Sequence, residues 1–406
     1  MTSKERHELR YRRRKTKREE KKMHNARYYS KESIYSWQEL EKAYLNCRKG
    51  VRWKATVQKF GLHLYRNIRH LSEKLYDNTW ESEGFHEFDI IERGHPRHIL
   101  SVNIEERCVQ RSLCDNYIVP LLSRPLIYDN GATLPGKGIS FSVNRYKAHL
   151  EKYIRKHGSK GYIYFFDFSS YFANIDNELL VSKALKYLPN YDLNNLYTKF
   201  IFAFGKTGLG LGSQVSQISA VFYPNDLDHY IKDVLQIKYY GRYMDDGYAI
   251  FETYEDTINF GRNLHKLCDK NHITINWSKR TCVPLTKSYT FIKQRTFVDG
   301  SIVILRVNKS VARKERKRLR KYKELLNQGR LTKNDVYLYF HSWLGYYYNK
   351  NNFYMLLNMI RYFNELFNVK YRPKKLKTRK DKVFYYMSRR ALLNPKYERR
   401  HKQWKK

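Results

Sequence analysis

The stretch YYGRYMDDGYAIFE, residues 239–252, places two adjacent carboxylates, Asp245 and Asp246, between two runs of β-prone residues. The Tyr, Ile and Phe residues on both sides predict two strands, and the residues between them predict the turn of a hairpin. Two like charges side by side are costly unless a cation compensates them. Asp is also an ordinary turn residue, because its side chain bonds to nearby backbone groups. The stretch therefore has two interpretations, a plain turn and a cation site.

A third acid interrupts the most apolar run of the chain. GYIYFFDF, residues 161–168, predicts a buried strand, and Asp167 stands near its end. A buried carboxylate needs a partner or a metal, so this position is harder to explain as a turn. Three carboxylates on adjacent strands would offer the hard oxygen ligands that Mg²⁺ prefers. Two such ions can activate an attacking hydroxyl and stabilise a leaving group.

The composition points to a polyanionic partner. The chain has 406 residues and a net charge of +40, from 79 Lys and Arg against 39 Asp and Glu. An enzyme of small molecules has no need of that excess, whereas a nucleic-acid partner does. Aromatic residues make up 16% of the chain and include 37 Tyr, which suits base stacking. The alternative is a basic protein that is merely very soluble.

Cysteine usage and hydropathy exclude other classes. The five cysteines form no C-x-x-C pair, which argues against a zinc site. Their odd number favours reduced thiols in an intracellular protein. The N-terminus begins with charges instead of an apolar segment, and no apolar run approaches the length of a membrane span. We therefore expect a cytoplasmic protein without a membrane partner.

Periodicity predicts an α+β fold in which helices back a mainly antiparallel sheet. Helices are expected at 34–80, 103–123, 177–204, from the glycine-rich stretch 205–217 to about 235, 256–270, 309–326 and 332–366, with a hairpin at 85–102 and strands at 161–168 and 273–283. Residues 1–23 carry eleven Lys and Arg, and residues 372–406 carry fifteen. The first of these segments is expected to be a basic arm, disordered without a polyanion, or an exposed helix.

Several motifs, in their order along the chain, resemble those of bacterial reverse transcriptases. They are ERGHPRHILSVNIEERCVQRSL (92–113, fingers), FFDFSSYF (165–172, first palm motif), GLGLGSQVSQ (208–217, glycine motif), YMDD (243–246), INWSK (275–279, the motif that ends in Lys), FIK (291–293, primer-grip turn) and SWLGYYYNKNN (342–352, thumb). The resemblance implies a right-hand polymerase fold with a palm of antiparallel sheet and a helical thumb. Its lobes would be an N-terminal arm 1–50, fingers 51–160, palm 161–306, thumb 307–370 and a basic tail 371–406.

The resemblance also implies the roles of individual residues. Asp167, Asp245 and Asp246, with the main-chain carbonyl of Phe168, would hold two Mg²⁺ ions, for which Mn²⁺ could substitute. Lys279 would protonate the leaving pyrophosphate, unless it is a plain surface lysine.

Other matched residues would bind the incoming dNTP. Arg93 and Arg97 would clamp the triphosphate, and their alternative is an exposed hairpin with solvated charges. Phe172 would exclude a 2′-OH as a steric gate, and its alternative is a core aromatic. The glycine-motif residues Leu211, Gly212 and Gln217 would lie beside the nucleotide.

The sequence departs from the common family pattern in the glycine motif. Leu211 stands where most of these enzymes have Gln, and Ser216-Gln217 replaces Ser-Pro. This form, with LPGKGISF (134–141) as the second fingers motif, resembles enzymes of diversity-generating retroelements and related groups, some of them acting in anti-phage defence. Leu211 then predicts an error-prone enzyme, because it lacks the hydrogen bond of Gln. Ala173 replaces the usual Asp of the first motif, and we have no physical account of that change.

The resemblance implies RNA-templated synthesis of DNA. The expected partners are an RNA template or non-coding RNA, a DNA or cDNA product, dNTPs and an accessory protein, in a bacterial or phage-encoded system. A 3′-OH or a protein hydroxyl would serve as primer. The alternative is a group II intron-like maturase or RNA-binding chaperone on a polymerase scaffold, and a third class is an RNA-dependent RNA polymerase. The intact Asp167, Asp245 and Asp246 argue against a non-enzymatic maturase or chaperone. Phe172 argues against an RNA-dependent RNA polymerase.

Overall fold

The computed structural model describes residues 3–92, 95–300, 302–347 and 352–371. Arg93 and the basic segment 372–406 lie outside the described residues. The described chain forms two compact units. The first runs up to Tyr153 and continues over Gly161–Pro284, and the second contains Ile154–Lys160 and the described residues from Leu285 onward. The predicted lobe boundaries at 50, 160, 306 and 370 stay predictions.

The α-helices follow most of the predicted segments. They are α1 (Ser3–Tyr28), α2 (Glu32–Tyr35), α3 (Trp37–Cys47), α4 (Ala55–Leu62), α5 (Leu64–Tyr76), α6 (Ile104–Leu113), α7 (Val119–Leu122), α8 (Ile139–His157), α9 (Asn177–Ala184), α10 (Tyr191–Phe202), α11 (Gln214–Phe222), α12 (Asn225–His229), α13 (Tyr254–Lys270), α14 (Lys309–Asn327), α15 (Lys333–Tyr347) and α16 (Phe353–Phe367). Short π-helical turns, Cys114–Ile118 and Tyr230–Val234, follow α6 and α12, and Tyr171–Asn174 forms a 3₁₀ turn. No helix in these ranges is long and apolar enough to span a bilayer.

The strands form three antiparallel sheets. They are β1 (His86–Glu92), β2 (His95–Ser101), β3 (Tyr162–Phe166), β4 (Tyr240–Tyr243), β5 (Asp246–Phe251), β6 (Thr281–Pro284), β7 (Tyr289–Phe291), β8 (Gln294–Asp299) and β9 (Ile302–Val307). Strands β1 and β2 pair as the predicted hairpin. A four-stranded sheet has the order β4-β5-β3-β6, and a three-stranded sheet has the order β7-β8-β9. The predicted α+β fold with antiparallel sheets is confirmed.

Helices cover the four-stranded sheet on both faces. Helix α13 starts at a capping box, in which Thr253 and Asp256 satisfy each other's backbone amides. Its Phe260 ring packs edge-on against Tyr164 of β3, with the ring centroids 5.3 Å apart. On the other face, Tyr146 of α8 packs against Tyr248 of β5 at 5.0 Å. Because both faces are covered, the four central residues of β5 are all buried, as expected for a strand without a solvent face.

Two sequence expectations need adjustment. The strand predicted at 273–283 is wrong for most of its length, because only Thr281–Pro284 is a strand and Trp277–Lys279 form a turn. The β-branched residues predicted a strand there. The backbone instead bends at this turn, and Lys279 of the turn bonds to Asp167. The basic arm is helical over Ser3–Tyr28, the second of the two forms expected for it.

The second unit has its own core. The Phe340 and Phe363 rings of α15 and α16 stack with centroids 4.0 Å apart and an interplanar angle of 1°. Strands β7 and β8 are joined by Ile292 and Lys293, both with positive φ (43° and 61°), so the predicted turn at FIK is confirmed. A turn in which both central residues have positive φ matches the right-handed twist of the strands it joins.

Candidate active site

The hairpin β4–β5 and strand β3 bring the three predicted acids to one end of the sheet. Phe166 pairs with Gly247, so Asp167, which follows Phe166, lies beside Asp246, which precedes Gly247. Tyr243 pairs with Asp246 and closes the hairpin around a loop of Met244 and Asp245. Asp246 therefore begins β5, while only Asp245 lies in the loop. Met244 adopts φ of +57°, the left-handed conformation that lets a two-residue loop reverse the chain.

Backbone hydrogen bonds fix the strand end against the hairpin and against the loop before β6. The amide of Phe168 donates to the carbonyl of Asp245 at 3.3 Å. Phe168 also forms an isolated antiparallel bridge with Ile275. The two bonds of this bridge run from the Ser169 amide to Thr274 O and from the Asn276 amide to Asp167 O, so the carbonyl of Phe168 takes part in neither. The Phe168 ring itself is buried in the core.

Lys279 reaches the acids. Its Nζ donates to Oδ2 of Asp167 at 2.7 Å, and Nδ2 of Asn276 donates to the same oxygen at 3.2 Å. The Lys279 side chain is 62% exposed while that of Asp167 is 5% exposed, so a solvated cation partners a buried carboxylate. The hydrogen bond to Asp167 is the main reason that the pKa of Lys279 is raised. Lys279 thus lies at the site, and its predicted role as a proton donor stays a prediction.

The site holds more negative charge than its protein partners neutralise. Burial, followed by the charges of Asp245 and Asp167, raises the pKa of Asp246 to about 7. Burial also raises the pKa of Asp245, and the charge of Asp167 adds to the effect. Within the described ranges, no three His, Cys, Asp or Glu side chains are already arranged as a metal site. The electrostatics are those of a site that gains by binding a cation.

Asp246→Asn should stabilise the metal-free protein, and more so at pH 8 than at pH 5. The unfolded carboxyl ionises near its ordinary pKa, whereas the folded one ionises near 7. Between these values the folded state binds more protons, so the wild type loses stability as pH rises and the neutral amide does not. At about 1.4 kcal/mol per pKa unit, the advantage should grow by roughly 1–3 kcal/mol between the two pH values. Urea unfolding in EDTA measures it.

The control for this experiment is Asp77→Asn, which changes an exposed aspartate at the C-terminal end of α5. Its effect on the free energy of unfolding should be small and equal at both pH values. An Asp246→Asn advantage that does not increase from pH 5 to pH 8 would contradict the raised pKa of Asp246.

The glycine-rich stretch runs beside the turn that follows Asp167. The Leu209 amide donates to the carbonyl of Phe172 at 2.7 Å. Gly208 has φ of +91°, and a Cβ there would lie 3.0 Å from the carbonyl oxygen of Ala173, so the close approach needs glycine. Phe172 is half-buried and contacts the Tyr171 ring at a centroid distance of 6.0 Å. The glycine motif thus contacts Phe172, the predicted steric gate, in the segment that follows Asp167.

The remaining predicted nucleotide contacts lie on other elements. Arg97 is exposed on β2, opposite Ile90 of β1. Leu211 is half-buried in the turn before α11, Gly212 has φ of +112°, and Gln217 is exposed on α11. Their predicted contacts with a dNTP stay predictions.

Two residues of the predicted fingers and glycine motifs do meet. Ser213, the N-cap of α11, donates through its hydroxyl to Oε1 of Gln110 at 3.1 Å. Gln110 in turn donates to Oε1 of Glu106 at 3.0 Å. Arg107, the first member of the same R-x-x-Q pair, instead contacts the hydroxyl of Ser101 at 2.9 Å. The Gln of this pair therefore supports the glycine motif, and the Arg supports the β1–β2 hairpin.

The sequence analysis did not identify the buried residue that holds the β4–β5 hairpin in place. Arg242 of β4 is fully buried, and its guanidinium forms a two-pronged ion pair with Asp228, with Nη2 to Oδ2 at 2.6 Å and Nε to Oδ1 at 3.0 Å. Its Nη1 donates to the carbonyl of Met244 at 2.6 Å, directly before the Asp pair. Tyr240 donates to Asp228 at 2.6 Å. An arginine inside a β-prone run was a signal of a buried partner, but no local pattern locates Asp228.

Comparison with known proteins yields a weak structural similarity. No family model and no curated protein matches the sequence. Among solved structures, telomerase from Candida albicans, in complex with a TWJ fragment of telomeric RNA, is similar with 12% identity and a TM-score of 0.47. The alignment covers 79% of this chain and 62% of the telomerase chain, so this chain spans less than two thirds of that protein. An alignment at this level assigns no activity and no residue role.

Proposed function

We propose that this protein is an RNA-directed DNA polymerase that transfers nucleotides from dNTPs to a hydroxyl primer with the help of two Mg²⁺ ions. The observation that carries the proposal is the meeting of Asp167 with Asp245 and Asp246 at one end of an antiparallel sheet, with Lys279 bonded to Asp167 at 2.7 Å. A plain turn accounts for two adjacent aspartates. It does not account for a third, buried carboxylate from a different strand beside them.

The donor set fits Mg²⁺. Aspartate carboxylates and a backbone carbonyl are the hard oxygen ligands that this ion takes. The raised pKa values of Asp245 and Asp246 mean that the folded protein pays to ionise them, and a bound cation would offset that cost. The ligands would be Asp167, Asp245, Asp246 and the carbonyl of Phe168. When bound, such ions lower the pKa of an attacking hydroxyl and neutralise charge on the leaving group.

The protein's own side chains have separate tasks in this proposal. Lys279 is exposed to solvent and hydrogen-bonded to Asp167. It would give a proton to the leaving pyrophosphate and recover one from water. Asn276 holds Asp167 Oδ2 in place by its amide. Phe172 lies beside the glycine motif, where its ring would fill the space that a 2′-OH needs and would thereby select dNTPs.

The finer assignment rests on sequence alone. We propose that the template is RNA, that the net charge of +40 serves its backbone, and that the enzyme acts in a diversity-generating retroelement or in an anti-phage system with a non-coding RNA. The competing function is an RNA-binding chaperone or maturase on the same scaffold. The three acids favour the enzyme, because a chaperone gains nothing from a buried carboxylate beside two half-buried carboxylates that repel it.

The test is extension of a labelled DNA primer annealed to a defined RNA template, with dNTPs and Mg²⁺, compared with EDTA. A product whose sequence is dictated by the template is expected only with the metal present. The same protein should be assayed for RNA binding by filter retention. RNA binding without any templated product, across DNA, RNA and unprimed reactions, would favour the chaperone.

Phe172→Ala should let the enzyme accept ribonucleotides. Removing the half-buried ring opens the space that a 2′-OH needs and leaves the three acids untouched. The ratio of rGTP to dGTP incorporation should rise by at least about tenfold, the factor produced by relieving a clash of about 1.4 kcal/mol. Competition between the two nucleotides on one RNA template measures the ratio.

The control is Phe202→Ala, which removes the same ring from an exposed position at the end of α10. It should leave the ratio of rGTP to dGTP unchanged. An unchanged ratio in Phe172→Ala as well, with synthesis intact, would assign Phe172 to the core.

A further inference from the structure

The turn that carries Lys279 to the acids has a second group of side chains with no role in the proposed chemistry. While Lys279 bonds to Asp167, Trp277 and Arg280 line a separate cavity of about 440 Å³ between this turn and α13. That volume lies in the range of about 300–1,000 Å³ that is usual for small-ligand sites. Tyr164 of β3 forms part of its wall. The cavity lies within the first unit, on the α13 face of the sheet.

The cavity combines exposed aromatic rings with cations. Trp277 is 51% exposed, and the guanidinium of Arg280 lies 4.9 Å from its ring centroid. The His265 ring meets Trp277 edge-on at 5.2 Å, and Arg262 lies one turn earlier on α13. Among the described residues that line the cavity, none is acidic. Arginine and aromatic rings without carboxylates are the components of sites that bind single-stranded nucleic acid.

The back wall of the cavity is closely packed. Gly261 of α13 faces the Tyr164 hydroxyl, and a Cβ at this position would lie 3.0 Å from that oxygen. Burial raises the pKa of the Tyr164 hydroxyl, and the nearby Arg280 guanidinium opposes that shift. Because this guanidinium also lies over the Trp277 ring, Arg280 is held by protein contacts before any ligand arrives, which lowers the entropic cost of binding.

We propose that this cavity binds an unpaired nucleotide of a nucleic-acid single strand, with the base stacked on the exposed ring of Trp277 and the phosphate held by Arg262 and Arg280. A protein segment is the other conceivable occupant, because Trp and Arg are also frequent in protein interfaces. The net charge of +40 and the absence of acids among the described lining residues favour the polyanion. The site is separate from the three aspartates and does not depend on their chemistry.

The experiment uses fluorescein-labelled r(U)₁₂ carrying one 4-thiouridine, with the full chain in its Asp245→Asn, Asp246→Asn form so that synthesis plays no part. Photocrosslinks should map to peptides of α13 and of the turn Trp277–Lys279. Trp277→Ala should weaken anisotropy-measured binding between about fivefold and a hundredfold, the range expected for one stacked base. Trp277→Phe keeps a ring and should retain most of the affinity, which separates stacking from misfolding.

The control is Trp53→Ala, because Trp53 is 74% exposed and also has a cation, Lys54, over its ring at 5.8 Å. Its affinity and crosslink map should match those of the parent protein. Arg262→Gln should reduce the slope of log affinity against log salt by about one, as expected for the loss of one phosphate contact.

Three outcomes would overturn the proposal. They are crosslinks confined to other peptides, equal affinity in Trp277→Ala and the parent, and full competition by UMP alone, which would assign the cavity to a free nucleotide. Parallel measurements with d(T)₁₂ distinguish an RNA strand from a DNA strand. Because every measurement uses the catalytically disabled form, failure of polymerase activity in the wild type would leave the result of this test unaffected.

Discussion

Replacing both Asp245 and Asp246 by asparagine should lower dNTP incorporation by several orders of magnitude, because metal ions contribute several kcal/mol to stabilising the transition state. Asparagine keeps the size of the side chain and removes the charge that would hold Mg²⁺. RNA affinity should change by no more than about twofold, since that affinity comes mainly from basic residues that displace counterions. Single-turnover primer extension and filter binding measure the two quantities on the same RNA.

Thermal unfolding gives this prediction a readout that does not depend on activity. A ligand that binds only the folded state stabilises it, by about 1.4 kcal/mol at ten times its Kd. Mg²⁺ should therefore raise the melting temperature of the wild type. The double variant should respond to Mg²⁺ no more than to a monovalent salt at the same ionic strength. Asp77→Asn should behave as the wild type in both assays. Template-directed extension by the double variant in Mg²⁺ would show that the three acids are not the catalytic site.

The positions of the three acids were predictable because the signals for them are local. YMDD between two β-prone runs indicates a hairpin, and an acid in the apolar run GYIYFFDF demands a partner. The meeting of Asp167 with Asp245 then follows once β3 and β5 pair in a register that sets Phe166 opposite Gly247. The resemblance to known polymerases supplied the pairing that local patterns alone did not.

The remaining features of the site depend on contacts between distant parts of the chain. The strand expected at 273–283 gives way to a turn, because Lys279 and Asn276 both bond to Asp167 and only a bent backbone allows this. β-propensity reflects packing on a pleated surface more than an intrinsic backbone preference, so a specific tertiary contact overrides it. The sequence analysis treated Trp277 only as part of the motif INWSK. The cavity that it lines is formed together with α13, which the motif alone does not reveal.

Arg242 is the clearest example of a residue whose contacts only the fold reveals. It sits in the very stretch that suggested the hairpin, yet its side chain points to Asp228 on α12. One guanidinium satisfies Asp228, the carbonyl of Val221 at 3.0 Å and the carbonyl of Met244 at 2.6 Å. Through the last bond it fixes the loop that carries Asp245. Arg242 is therefore a positioning residue for the acids, acting through the backbone of Met244.

Arg242→Met should lower the free energy of unfolding by about 3–5 kcal/mol, because it leaves the carboxylate of Asp228 buried without its cation. Asp228 is fully buried, so water cannot replace the guanidinium, and the carbonyl of Met244 loses its donor. The measurement is urea unfolding of the purified variant. Arg69→Met is the matched control, since the ion pair of Arg69 with Glu73 is exposed at 3.1 Å and should contribute at most about 1 kcal/mol.

A double-mutant cycle separates the buried pair from the general effect of a changed core. Asp228→Asn alone should destabilise the protein, since it leaves Arg242 charged and buried without its partner. In the Arg242→Met background the same Asp228→Asn change should stabilise it, because it removes the stranded charge while the amide oxygen still accepts from Tyr240. The effect of Asp228→Asn on the free energy of unfolding thus changes sign with the identity of residue 242. Loss of packing alone does not produce such a reversal. Equal and additive losses would show that the pair is not the element that holds the hairpin.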